Sequence, residues 1–234
     1  MMDPDQRAAA RDALGALWDR ELWVYLCWSV GLVLASFVGG LLMNRLWGDA
    51  DASAWHWAAS TPKGLLLILG AALATVDLPR WVAHGITRRA FALAAGAVTA
   101  ALAVAGGVLI TAGYAVEAAL HGAGSPPALD GAHLFATTAQ WHLVLGEYTL
   151  LYAAWAVSGW LAGAGYYRWG WRGGTLFVVP AALPLVVAEA LARSNWPATG
   201  TTVTLIAIVA VVLAGAVAAY RVVGDMPLRP GWTA

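Results

Sequence analysis

The sequence predicts an all-α polytopic membrane protein, with six transmembrane helices in a single domain over residues 1–234 and an amphipathic helix ahead of them. Three observations predict this class. Hydrophobic residues make up 61% of the chain and charged residues 11%, whereas soluble domains hold about 45–50% apolar and about 25% charged residues. The mean hydropathy is +0.69. Several runs approach the roughly 20 apolar residues that cross a bilayer.

Residues 4–20 read as an interfacial helix, with Leu14, Leu17 and Trp18 at helical spacing and Arg7, Arg11 and Arg20 on the polar side. No cleavable signal is expected, because the first apolar run is too long for a signal h-region. That run predicts a helix over about Leu22 to Met43. Gly31, Ala35 and Gly39 recur every fourth residue along it, a spacing that lets two helix backbones approach closely.

A polar connector follows, about Asn44 to Lys63. The second helix covers about Gly64 to Ala83 and the third about Ala90 to Leu120. Residues 121–141 form a loop without Lys or Arg. The fourth helix covers about His142 to Tyr167 and carries GWLAG, Gly159 to Gly163, a close-packing spacing. The fifth, about Gly174 to Ala192, is interrupted by Pro180 and Pro184, and the sixth covers about Thr199 to Val223.

Basic residues set the expected orientation. With the N-terminus in the cytoplasm, Arg7, Arg11, Arg20, Arg80, Arg88, Arg89, Arg168, Arg172, Arg221 and Arg229 fall inside, and only Arg45, Lys63 and Arg193 fall outside. Both termini are then cytoplasmic. Trp47, Trp55, Trp57, Trp141 and Trp196 near one boundary, and Trp18, Trp23, Trp81, Trp169 and Trp171 near the other, read as interfacial anchors.

Several chemistries are excluded. The zero net charge says nothing about nucleic acid, and with no basic domain to suggest one, no nucleic-acid partner is expected. The lone cysteine, Cys27, permits neither an intramolecular disulfide nor a multi-cysteine metal site. No GxxxxGK[ST] occurs, so ATP hydrolysis would have to come from a partner. Haem ligation needs histidines at membrane depth, but His56, His84, His121, His133 and His142 fall in loops or at boundaries. Ser158 has no histidine in the fifth or sixth helix with which to build a protease site. No catalytic residue, metal or cofactor is expected.

The carboxylates near span ends remain. Glu117, Glu147 and Glu189 all fall toward the outer ends of their helices. Intramembrane carboxylates are costly and often functional, so these three are candidates for an outward vestibule or translocation path. The simpler reading is snorkelling to the interface, with Arg193 as partner for Glu189. Asp77 reads as a local ion pair near Arg80.

Gly85 to Phe91, GITRRAF, follows a helix ending in a proline and precedes a long apolar helix. It resembles the G-[VI]-[TS]-R-[RK]-x-F element of type-2 ABC exporter permeases, small actinobacterial members above all. Gly163 to Gly174, GAGYYRWGWRGG, resembles the end of their fourth helix, and Glu117 stands where many of them carry an acidic residue. The resemblance implies the membrane subunit of an ABC exporter, paired with a second permease copy or paralogue and driven by a separate cytoplasmic ATPase. It further implies that His84, Gly85, Ile86, Thr87, Arg88, Arg89 and Phe91 form a coupling element that docks on that ATPase. Gly31, Ala35 and Gly39 would then lie at the dimer interface, and residues 4–20 would be the family's connecting helix. The short connector Arg193 to Ala198 departs from relatives with re-entrant helices there. The alternative is a non-transport polytopic anchor, sensor or assembly protein. A secondary transporter ranks third, for want of mid-membrane charge pairs and related halves.

Overall fold

The computed structural model describes residues 15, 23–47, 53–121, 132–194 and 200–225. The proposed interfacial helix at 4–20 lies outside the described residues apart from Gly15. The described elements are helices α1 (Trp23–Trp47), α2 (Trp55–Ala59), α3 (Thr61–Ala72), α4 (Leu78–Ala83), α5 (Arg88–His121), α6 (Trp141–Ala181), α7 (Leu183–Arg193) and α8 (Gly200–Gly224). Among the described residues, five stretches are long and apolar enough to cross a membrane: Cys27–Leu46, Trp55–Ala83, Arg88–Ala119, Trp141–Arg193 and Gly200–Gly224. They fit a multi-pass membrane protein.

The second stretch starts earlier than the sequence reading had it. The expected polar connector is helical from Trp55, because a remote carboxylate, described below, caps α2. A π-helical turn, Leu73–Asp77, joins α3 to α4 just before Pro79. Proline lacks the N–H and crowds the preceding turn, and a widened turn accommodates both defects. Asp77 is buried in this turn while Arg80 is exposed.

The fourth stretch is a hairpin. Gly170 has φ +68°, inside an otherwise continuous helical run, a backbone conformation that only glycine adopts freely. The chain then folds back: Gly174 lies on Tyr166, Gly165 on Phe177, and Trp155 meets Glu189. Pro180 and Pro184 break the returning arm at Ala182, as their positions predict. The break costs Leu185 its helical acceptor, and Ser158 Oγ across the hairpin accepts from its N–H at 3.1 Å.

The first arm of α6 is the centre of the bundle, in contact with α3, α5, α7 and α8. Small residues bring it there, since close backbone approach and van der Waals packing drive helix association in lipid. An added Cβ at Gly159 would fall on the Leu67 carbonyl, one at Gly163 on that of Ala71, and one at Gly70 on that of Ala156. The core between these helices contains Leu66, Phe91, Leu102, Ile110, Tyr114, Tyr152 and Tyr167. Helix α1 is peripheral and touches the bundle through Val33, Phe37 and Gly40. Its Gly31 and Gly39 meet nothing within 4 Å, and Gly31 and Ala35 are exposed.

Candidate functional site

Two groups of polar residues stand at opposite ends of the bundle. The chain reverses between α4 and α5, and again at Gly170. Helix α6 runs alongside α3, and α8 runs parallel to it through the pairs Gly146–Leu205 and Val157–Gly215. Both reversals and the end of α8 therefore share one end, which carries Arg80, Arg88, Arg89, Arg168, Arg172 and Arg221. Among the described residues, the other end carries Arg45, Lys63 and Arg193.

At the arginine-rich end, α4 closes in a Schellman motif. Gly85 has φ +90°, its N–H donates to Val82 O at 3.0 Å, and Ile86 N–H donates to Trp81 O at 3.1 Å. Thr87 then caps α5, its Oγ1 accepting from Ala90 N–H at 3.2 Å. Ile86 and Phe91 are buried. Gly85, Ile86, Thr87 and Phe91 thus each have a duty within the chain, as turn glycine, staple, cap and core residue. What the turn presents outward is His84, Arg88 and Arg89, with Arg80 beside them. His84 Nδ1 lies 2.7 Å from Arg80 O.

At the opposite end the three glutamates converge, but they do not snorkel. Glu117 is 2% exposed. Its Oε2 accepts from Ser53 Oγ at 2.6 Å, and its Oε1 from the N–H groups of Ala54 at 2.9 Å and Trp55 at 3.3 Å. These are the orphan donors that open α2, and a carboxylate there also meets the positive end of the helix dipole. Glu117 is a remote N-cap. The indole of Trp55, expected at the interface as an anchor, is instead buried against Gly113 and donates to Ile110 O at 3.0 Å.

Glu147, also 2% exposed, accepts from Leu134 N–H at 2.7 Å and faces His133 Nδ1 at 2.8 Å. Glu189 accepts from Lys63 Nζ at 2.6 Å, from Trp155 Nε1 at 3.0 Å and from Arg193 at 3.3 Å. The expected Arg193 contact is present, but the shorter bond comes from Lys63, 126 residues away in sequence. Glu147 and Glu189 line one cavity of about 170 Å³ with His56, Ser60, Lys63, His133 and Arg193. Glu117 stands behind it, across the Tyr114–Tyr148 hydroxyl pair, whose oxygens are 3.0 Å apart.

Sequence reasoning missed Lys63, His56 and His133 as members of this site. Their one visible signal was a basic or imidazole side chain at the same predicted boundary as the glutamates. Among the described residues, no group of three or more His, Cys, Asp or Glu side chains is arranged to hold a metal ion.

Comparison with protein-family models, curated proteins and solved structures returns no match. The permease resemblance therefore stands on its two short motifs.

Proposed function

We propose that this chain is the membrane subunit of an ABC exporter, crossing the membrane six times with both termini in the cytoplasm. The hairpin at Gly170 supports counting the fourth apolar stretch as two crossings. The arginine-rich end is then cytoplasmic by the positive-inside rule, and the glutamate-lined end faces outward. The observation that carries the reading is the basic turn: His84 and Arg89 are exposed and Arg88 is half-buried on a glycine-capped reversal. ATP hydrolysis belongs to a separate ATPase that takes this turn in an acidic groove. The exposed face of α1 with Gly31, Ala35 and Gly39 supports pairing with a second permease copy or paralogue, and the outer cavity with Glu147 and Glu189 supports a place on the translocation path.

Co-expression with a stand-alone ATPase encoded beside this chain tests the proposal. The wild-type chain should co-purify with it, and Arg88→Glu with Arg89→Glu should cut the recovered ATPase at least tenfold without changing the chain's own unfolding. Equal recovery by the double variant would overturn the docking assignment. A second reading, a ligand-sensing membrane protein without transport, is favoured by the intramolecular duties of Gly85, Ile86, Thr87 and Phe91. It predicts no ATPase partner at all.

A further inference from the structure

A second cavity, of about 480 Å³, opens between α5, α6 and α8 in the half of the bundle nearer the arginine-rich end. Ala92, Thr99, Val157 and Trp160 line it and are buried, while Leu93, Ala97, Leu213 and Val217 form an exposed rim. The Thr99 hydroxyl is turned back onto Ala95 O at 2.7 Å, so the walls offer chiefly hydrocarbon and aromatic surface.

Gly96 opens this cavity rather than closing a helix crossing. A Cβ built there meets nothing nearer than Trp160 Cζ3 at 4.0 Å, whereas one at Gly70, Gly159 or Gly163 falls on a neighbouring backbone. At position 96 the missing side chain is cavity. Along α5 the lining runs from Ala92 to Ala100, and along α8 from Val212 to Tyr220. Each run advances about 12 Å at about 1.5 Å per residue. One leaflet supplies about 15 Å of hydrocarbon, half of the roughly 30 Å core. The cavity therefore follows a helix seam through most of a leaflet's depth, the shape of one acyl chain.

Both lining stripes end in arginine. Residues four apart share a helix face, which puts Arg88 one turn before Ala92, Arg89 one turn before Leu93, and Arg221 one turn past Val217. Arg89 and Arg221 are exposed and Arg88 is half-buried. Among the described residues of that end, the acidic groups are Asp77, which is buried, and Asp225, one turn past Arg221. The mouth of the seam is thus positive, and basic pockets between helices at a membrane face bind anionic lipid headgroups.

We propose that this seam holds an anionic phospholipid from the leaflet at the arginine-rich end. One acyl chain fills the cavity over Gly96 and against Trp160, the other stays in the bilayer, and the headgroup phosphate meets Arg89 and Arg221. The site requires only that these helices cross a membrane. Arg221 lies outside the turn assigned to the ATPase, so the lipid site and the exporter reading can fail separately.

Native mass spectrometry of the full chain tests this, after lipid is stripped in maltoside and dioleoyl phosphatidylglycerol or dioleoyl phosphatidylcholine is added back. A single phosphatidylglycerol should bind saturably, at least tenfold more tightly than phosphatidylcholine. Arg221→Gln and Arg89→Gln should each weaken phosphatidylglycerol about fivefold and leave phosphatidylcholine unchanged. Gly96→Leu fills the cavity and should weaken both lipids at least tenfold. Its thermal unfolding should match or exceed wild type, since leucine favours a helix over glycine. Should that variant fail to fold, Ala97→Leu at the exposed rim should still weaken both lipids about threefold. Equal affinity for the two lipids, or unchanged binding in the folded cavity or arginine variants, would overturn the proposal. So would a lipid-free dimer that excludes added phosphatidylglycerol, which would give the seam to a second copy of the chain.

Discussion

Replacing Glu117 should destabilise the glutamate-lined end by an amount the geometry sets. The carboxylate satisfies three donors, Ser53 Oγ, Ala54 N–H and Trp55 N–H, all buried. Glu117→Ala strands the two backbone groups, because the Ser53 hydroxyl can turn elsewhere. At about 1–3 kcal/mol for each stranded group, plus the lost dipole interaction, the cost is about 2–7 kcal/mol. Glu117→Gln keeps an amide oxygen for the two N–H groups and loses only the charge assistance, about 1–2 kcal/mol. The assay is thermal unfolding of the full chain in detergent, followed by tryptophan emission, to which the buried Trp55 beside the cap contributes. The order expected is wild type, then Gln, then Ala, with Trp55 emission shifting to the red in the Ala variant below its unfolding temperature. Wild-type stability in Glu117→Ala, or equal losses for both variants, would refute the capping role.

Other substitutions probe the remaining contacts. Gly159→Val should cost about 3 kcal/mol or more by forcing α3 away from α6, whereas Gly31→Val, with open space around it, should leave folding within about 0.5 kcal/mol; comparable unfolding of the two would contradict the crossing described. Glu189→Leu leaves the buried Lys63 amine without its carboxylate and should cost about 3–5 kcal/mol, while Lys63→Met leaves Glu189 with Arg193 and Trp155 and should cost less. The double variant should recover about 2 kcal/mol relative to Glu189→Leu, and strict additivity in that cycle would mean that the pair is uncoupled. Gly85→Ala should cost about 1 kcal/mol through its positive φ, and equal stability would argue against the Schellman turn.

What could be read in the sequence was composition along one helix at a time. The apolar stretches, the breaks near Gly170 and at the Pro180–Pro184 pair, and the tight Gly159–Gly163 crossing each follow from neighbours in the chain. The placement of Glu117, Glu147 and Glu189 at one end of the bundle follows from counting residues to the helix ends. Their burial does not, because it depends on partners brought by other helices: Ser53 for Glu117, His133 for Glu147, Lys63 for Glu189. A hydropathy window treats Trp55 and Trp57 alike, yet one fills the space beside Gly113 and the other is exposed. The early start of the second apolar stretch was hidden for the same reason, since Glu117, the residue that caps it, lies some sixty residues downstream.

The functional reading hangs on which side of the membrane the turn at Thr87 faces. Single cysteines placed in a Cys27→Ser background at Thr87, Trp171 and Ala136, all exposed positions, can be labelled on intact cells with an impermeant maleimide. Ala136→Cys should react from outside, and Thr87→Cys and Trp171→Cys only after the membrane is opened, as six crossings with a cytoplasmic docking turn require. Labelling of Thr87→Cys on intact cells would put that turn outside, where no cytoplasmic ATPase can reach it, and labelling of Trp171→Cys there would remove the fourth and fifth crossings as drawn.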